Sequence, residues 1–367
     1  MRLASALVTG LIALSCGQPN TTQATTAASA PRVGTISAAT AMPNSSPPSA
    51  GTTLAYGLLI ASGRLELISP DARIAASVPI ADPSVEPQAC GNGMGAWTLP
   101  GVSASNDHVY FRDGDTRIRM VVPPASVADV TTVPGGSAVI SGFSVSPDDR
   151  RIAVSVERFS ASGINDRLYV EDLRGHTHHV DIYSTTTAAG KITRMLWPMG
   201  WHGGELVLAV WAACTYELVP YPNAWHVADA TTAVRRASIG DANCIPGDWA
   251  SPAGVACFNT SSQQVRVYDL SGTLKATLQT DTGATELSPD GTLLLASTGG
   301  GIGNPSPSSS LLRVDGSGVV KVDGTMACLW IDGQHALSPD AVITYPSGAV
   351  AHLAQTGQCA GRFPGAL

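Results

Sequence analysis

The sequence contains few charged residues and no concentration of positive charge. Only 13% of the 367 residues are Asp, Glu, Lys or Arg, and the formal net charge is −7. Proteins that bind nucleic acid or anionic lipid by electrostatics present a basic patch, and Lys and Arg form no run anywhere in this chain. We therefore expect no nucleic-acid partner.

A long apolar segment is also missing. The apolar stretch from Leu3 to Leu14 is shorter than the roughly 20 residues that a membrane helix needs. Met1 and Arg2 precede it and small residues follow, which is the layout of a secretory signal. Its end, Ser15 and Cys16, resembles the bacterial lipobox, although Ala13 stands where Leu is usual. An ordinary cleaved signal is the alternative.

The next segment has no acidic residue and almost no bulky apolar side chain. Residues 17–52 consist mostly of Thr, Ala, Ser, Pro and Asn, which bury too little surface to offset their chain entropy. We expect residues 1–15 to be a signal peptide and residues 16–52 to be a tether that starts at the lipidated Cys16, with a reach on the order of 30 Å. This predicts an exported protein, held at the outer face of a bacterial membrane by its lipid only.

Local catalytic and cofactor motifs are missing too. The chain has no G-x-S-x-G, no H-E-x-x-H and no C-x-x-C, and the Gly-, Pro- and Ser-rich segment 299–310 lacks the Lys of a phosphate-binding loop. We therefore predict no cofactor and no zinc or thiol redox site.

Residues 53–367 contain alternating or short apolar runs, broken by Gly, Pro, Asp and Asn about every ten residues, which is typical of strands. The stretch Gly142 to Ile182 predicts four strands in a meander. One turn residue is taken from each of seven similar segments to mark the repeat, and we call these residues anchors. Their mean spacing is roughly 46 residues, a period typical of a propeller blade. The prediction is an all-β propeller of seven four-stranded blades, with six or eight as alternatives. The anchors are Asp71, Pro123, Asp172, Asp229, Asp269, Asp315 and Pro346.

Two turn motifs resemble those of WD40-like repeat proteins of the TolB type. Ser146-Pro147-Asp148-Asp149 precedes one apolar strand and Ser288-Pro289-Asp290-Gly291 precedes another, 142 residues or about three blades later. Similar triplets at Ser69 and Ser338 are expected in other turns. The resemblance implies a propeller over residues 53–355 and says little about function.

Six cysteines besides Cys16 favour disulfides in an exported chain. We predict Cys214 with Cys244, and Cys328 with Cys359, although six cysteines permit fifteen pairings.

Three groups of residues are candidates for a site. An aromatic-rich segment with a long loop predicts a sugar or peptide platform, with packing between blades as the alternative; its residues are Trp201, His202, Trp211, Tyr216, Glu217, Tyr221 and Trp225. His176 and His178, which strand alternation would place on one face, are weak metal candidates in an exposed hairpin. Asp148, Glu205, Asp248 and Glu286 are carboxylates near strand ends that a central channel would collect.

These features favour a monomeric, non-catalytic module that binds a protein or an envelope polymer. The alternative is a secreted hydrolase or lyase, lactonase- or glycosidase-like, with a carboxylate or metal site in the channel. Three or more converging carboxylate, His or Asn side chains would favour the enzyme.

Overall fold

The chain folds into seven four-stranded antiparallel sheets arranged in sequence order, as a β-propeller. The computed structural model describes residues 55–84, 100–122, 126–191, 193–213, 222–241, 243–259, 261–280, 283, 285–298 and 306–367. The chain divides after Ala50, and the unit Gly51–Leu367 contains the whole ring. Among the described residues no helix is long and apolar enough to cross a membrane.

Each blade is a meander whose first strand is innermost, apart from the composite first blade. The strands of blades 1 to 3 are β1 (Tyr56–Ala61), β2 (Arg64–Ile68), β3 (Ile74–Pro79), β4 (Val102–Ala104), β5 (Val109–Asp113), β6 (Arg117–Val122), β7 (Ser126–Thr132), β8 (Val139–Val145), β9 (Arg151–Ser160), β10 (Gly163–Asp172) and β11 (Val180–Ala188). Those of blades 4 and 5 are β12 (Thr193–His202), β13 (Glu205–Ala213), β14 (Ala224–Asp229), β15 (Arg235–Ile239), β16 (Ile245–Pro246), β17 (Val255–Asn259), β18 (Gln264–Tyr268) and β19 (Leu274–Gln279). Those of blades 6 and 7, with the closing strand, are β20 (Glu286–Leu287), β21 (Leu293–Thr298), β22 (Ser308–Arg313), β23 (Val319–Asp323), β24 (Leu329–Trp330), β25 (His335–Leu337), β26 (Ala341–Thr344), β27 (Ala349–His352) and β28 (Gln358–Phe363).

The ring is closed by the last strand of the chain. Strand β28 pairs with β1, with Phe363 opposite Tyr56 and Gln358 opposite Ile60, so it becomes the innermost strand of blade 1. The first and last parts of the ring thus share one sheet. Closure of this kind protects strand edges that would otherwise remain unpaired.

The repeat predicted from the sequence is confirmed. The described anchors lie at the end of the third strand of a blade or between its third and fourth strands, and Ser146 and Ser288 both follow the innermost strand, three blades apart. Pro123 lies outside the described residues. In each of these two turns the Ser hydroxyl donates to the Asp two residues later, at 2.6 Å. The triplet at Ser69 lies instead between β2 and β3, and the one at Ser338 between β25 and β26. This motif is therefore a local turn signal.

Large aromatic side chains fill the space between blades 3, 4 and 5. The indole N–H of Trp201 in blade 4 donates to the carbonyl of Ser144 in blade 3, and that of Trp225 in blade 4 to the carbonyl of Gly247 in blade 5, each at 3.2 Å. Both rings are at most 1% exposed. Trp197 packs on Gly142 of blade 3 so closely that a Cβ at this glycine would lie 2.4 Å from the ring.

Of the two disulfides predicted from the sequence, the first prediction below is confirmed and the second is wrong. Cys328 pairs with Cys359, with 6.5 Å between the Cα atoms, and this bond joins the residue before β24 to β28. Cys244 pairs with Cys257 rather than Cys214, because the turn into blade 5 brings Cys244 beside β17, at a Cα separation of 5.1 Å. Cys214 lies outside the described residues.

Gly142→Ala is expected to destabilise the ring by about 1–3 kcal/mol, because the added methyl group overlaps Trp197 within a packed interface. Urea unfolding of the whole chain measures the effect. Gly204→Ala is the matched control, because no atom lies within 4 Å of a Cβ built there. Equal midpoints for the two variants would contradict the described packing.

Replacing both Cys328 and Cys359 with Ser is expected to lower the free energy of unfolding by about 2–4 kcal/mol. The bond closes a loop with a sequence separation of 31 and also ties β28 to blade 7. Denaturant unfolding of wild type and variant under oxidising conditions gives the difference. A change below about 0.5 kcal/mol would show that the closing strand does not depend on this bond.

Candidate functional site

Two of the four predicted channel carboxylates lie close together, Asp248 after the innermost strand of blade 5 and Glu286 on that of blade 6. Glu286, on the innermost strand of blade 6, accepts hydrogen bonds from the backbone N–H groups of Asp248 at 2.7 Å and Trp249 at 3.2 Å. Burial raises the pKa of Glu286 well above its usual value, and the charge of Asp248 raises it further. The surrounding protein also raises the pKa of Asp248 by limiting hydration of its carboxylate.

The other two carboxylates are engaged elsewhere. Asp148 accepts from the hydroxyl of Ser146 and the backbone N–H of Arg150, so it caps its own turn. Glu205 lies 3.8 Å from the guanidinium group of Arg236. The four candidates therefore give two acidic side chains close together, and no His or Asn is among the described residues that line the channel cavity. Three or more converging carboxylate, His or Asn side chains would favour an enzyme.

A short segment after β28 crosses one end of the channel. The backbone N–H of Gly365 donates to Ser105 of blade 2, and that of Leu367 donates to Trp201 of blade 4, each at 2.9 Å. Arg362 donates to the carbonyls of Pro364 and Ala366, both at 2.8 Å. Burial lowers the pKa of Arg362 to about 10, so the group stays cationic at neutral pH.

The channel cavity beside this segment is small. It has a volume of about 70 Å³ and is lined mainly by apolar side chains, together with Glu286 and Arg362. Pockets for organic ligands usually measure roughly 300–1,000 Å³, whereas a water needs only a few tens. In this structure the cavity accommodates a few water molecules and not a sugar ring.

The aromatic residues proposed as a platform are mostly part of the core. Trp201, Trp211 and Trp225 are at most 5% exposed, so they offer no ring face to a ligand. His202 is exposed, and its Nδ1 lies 2.7 Å from the carbonyl oxygen of Leu367. Tyr216, Glu217 and Tyr221 lie outside the described residues, and their role stays a prediction.

The two predicted metal candidates, His176 and His178, contact different carboxylates. His176 and His178 lie in the turn before β11 rather than on a strand, and both have positive φ. Nδ1 of His176 is 2.6 Å from Glu171, whereas Nδ1 of His178 is 2.6 Å from Asp172. No group of three or more His, Cys, Asp or Glu residues in the described ranges has an arrangement suited to a metal ion.

His176 does line an open groove between the outer strands of blades 2 and 3, which we call the blade 2–3 groove. Its volume is about 420 Å³. Arg167 donates to Asp181 at 2.7 Å and stacks over Tyr169, whereas Arg158 is exposed and has no hydrogen bond or ion pair to any described residue. The polar lining residues are Thr132, Arg158, Asn165, Arg167, Glu171, His176 and His179.

Sequence reasoning missed this groove and also a buried acidic pair behind it. Glu157 and Asp166 are directly paired across β9 and β10, and both are 0% exposed. None of their carboxylate oxygens has a described hydrogen-bond partner. Burial raises the pKa of Glu157, with a further contribution from Asp166, and raises the pKa of Asp166 to about 7. The signal was present in the sequence, since both acids occupy core-facing positions of apolar strands.

The free energy of unfolding, measured in a chelator that removes divalent metal ions, is expected to fall as the pH rises from about 4 to about 7. Over this range the folded chain holds protons on Glu157 and Asp166 that the unfolded chain has released. Wild type should lose on the order of 3 kcal/mol relative to Glu157→Gln/Asp166→Asn. Urea unfolding at several pH values measures the difference. Parallel pH profiles of the two proteins would show that the pair does not titrate in this range.

No protein-family model matches the chain, and no curated protein sequence matches it either. Solved structures do match. An oligogalacturonate lyase from Vibrio parahaemolyticus is 10% identical, with 77% of this chain and 79% of that chain covered and a TM-score of 0.45. Apo AztD from Citrobacter koseri is 10% identical, with 84% and 96% covered and a TM-score of 0.40. Prolyl oligopeptidase B from Galerina marginata is 8% identical, with 73% and 39% covered and a TM-score of 0.43. These similarities concern the fold alone, and the topology of the chain itself establishes a seven-bladed β-propeller.

Proposed function

We propose that this chain is an exported, lipid-anchored binding module that engages a protein or an envelope polymer through the outer surface of its propeller and catalyses no reaction. The observation that carries this proposal is the difference in size between the cavities. The channel cavity measures about 70 Å³, whereas the open grooves between outer strands measure about 410–520 Å³.

The blade 2–3 groove is the site we favour. Arg158 is exposed there without a described partner, Arg167 lies beside it, and the side chains of His176 and His179 are 50% and 35% exposed. An anionic group on a ligand, such as a carboxylate or phosphate, would complete the hydrogen bonding of Arg158. We infer that the partner carries such groups.

Export and anchoring belong to the same proposal. The apolar start of the chain, the lipobox-like end at Cys16 and the tether are supported by two disulfides, which persist in oxidising compartments. Membership of the WD40-like repeat family also stays an expectation from the turn motifs.

The rival hypothesis, a hydrolase or lyase, would use Asp248 and Glu286. Glu286 accepts two backbone hydrogen bonds, and the segment from Pro364 to Leu367 crosses the adjacent end of the channel. Both features support a structural role for this pair. One assay on isolated cell-envelope material tests both hypotheses.

The whole chain is kept in detergent so that its lipid does not contribute. It is mixed with the detergent-insoluble fraction of the cell envelope, which is then sedimented together with any bound protein. Wild type is expected to bind, and Arg158→Ala/Arg167→Ala should weaken binding at least about tenfold, because two charge-assisted contacts are lost. Lys321→Ala, in the groove between blades 5 and 6, is the matched control. Protease digestion of the envelope fraction before mixing distinguishes the two kinds of partner, because it abolishes binding to a protein and leaves binding to a polymer.

Soluble fragments and new reducing ends are measured in the same samples. The binding proposal predicts none. Fragments that wild type releases and Glu286→Gln does not would establish the enzyme instead. Equal binding by wild type and Arg158→Ala/Arg167→Ala would remove the blade 2–3 groove as the site.

A further inference from the structure

Blade 3 buries two carboxylates that no described group satisfies. Glu157 on β9 and Asp166 on β10 face each other in the ladder, and all four of their carboxylate oxygens lack a hydrogen-bond partner. The nearby backbone N–H of Arg167 lowers the pKa of Asp166 but does not complete a hydrogen bond to its carboxylate. Glu157 pairs with Ile140 on its other side, and Ile164 precedes Asp166 on the same face.

Such a pair needs a positive charge. Directly opposed side chains of an antiparallel pair have their Cβ atoms about 5 Å apart, and like charges at that spacing destabilise the sheet. Burial of an unpaired carboxylate costs several kcal/mol more. The only charged group that perturbs Glu157 is Asp166, so no described Lys or Arg neutralises the pair. Either a proton or a bound cation must do so.

A third oxygen atom favours the cation. Ser155 lies two residues before Glu157 on β9, so its side chain projects from the same face. Its hydroxyl is fully buried and has no described partner. A proton shared between the two carboxylates would leave this hydroxyl unused, whereas a cation would coordinate it together with the carboxylates.

We propose that Glu157, Asp166 and Ser155 bind a calcium ion at the face of blade 3 that packs on blade 4. Two bidentate carboxylates and the hydroxyl supply five oxygens, and water supplies the remainder of the six to eight that calcium takes. Magnesium requires near-ideal octahedral geometry and usually retains several waters, so two bidentate carboxylates suit it less well than they suit calcium. Zinc, copper and nickel favour nitrogen or sulfur ligands, and none of the three residues offers one.

The site would also stabilise the strands that carry the blade 2–3 groove. Arg158 directly follows Glu157 and Arg167 directly follows Asp166, so the two arginines project from the opposite face of the same two strands. Calcium on one face thus fixes the ribbon that presents both arginines on the other. The calcium proposal itself does not depend on what the groove binds.

The test is thermal unfolding of the whole chain at pH 7, first in chelator and then with 5 mM calcium or magnesium. Calcium is expected to raise the midpoint by at least about 3 °C, because it binds only the folded state. Magnesium should have a smaller effect.

Glu157→Gln/Asp166→Asn is expected to remain folded and to lose the response to calcium, and Ser155→Ala should weaken it. Asp323→Asn, an exposed acid on the outermost strand of blade 6, is the control and should respond like wild type. A second readout does not depend on stability. Terbium, added in place of calcium, should show luminescence on tryptophan excitation, because Trp197 and Trp211 belong to the same buried cluster as Ile140 and Ile164.

Unchanged midpoints with calcium and magnesium, together with no terbium luminescence, would overturn the proposal. The pair would then hold a shared proton. A calcium response that persists in Glu157→Gln/Asp166→Asn would place the ion elsewhere and would overturn it equally.

Discussion

The structure depends on the pairing of β28 with β1, which closes the ring. A four-stranded blade alone buries little apolar surface, and each of the described blades packs against its neighbours rather than around a core of its own. Closure places the last strand innermost in blade 1, and the Cys328–Cys359 bond ties it to blade 7. The residues that follow β28 then have to cross the axis, where they bond to blades 2 and 4. The same interaction that completes the fold therefore narrows the channel and leaves the outer grooves as the larger openings.

The sequence predicted the features that repeat locally. Each described anchor marks a turn whose geometry depends on a few adjacent residues. The carboxylates of Asp229, Asp269 and Asp315, for example, accept backbone N–H groups within their own turns. Seven such turns, at a mean interval of roughly 46 residues, predicted seven blades. The Ser-Pro-Asp turns were assigned correctly to two equivalent positions for the same reason.

Features that depend on contacts distant in sequence were not predictable in this way. The pairing of Cys244 with Cys257 follows from how the chain enters blade 5, which no spacing rule specifies. Trp201 and Trp225 look like binding residues because tryptophan is frequent in binding sites, yet their indole groups donate across blade interfaces. Glu157 and Asp166 are nine residues apart in sequence, and only the hairpin between β9 and β10 makes them a pair. Arg158 became a candidate once the structure showed that no described acid neutralises it.

Blade 3 combines the two features with functional meaning, because alternate residues of β9 and β10 serve opposite faces. Glu157 and Asp166 are buried, while Arg158 and Arg167 line the blade 2–3 groove. The most direct measurement is hydrogen–deuterium exchange of the whole chain with and without solubilised envelope material that it binds. Recognition through the blade 2–3 groove predicts slower exchange in peptides covering residues 156–179. Slower exchange confined to residues 247–251, 286–290 and 364–367 would place the ligand in the channel and contradict that conclusion.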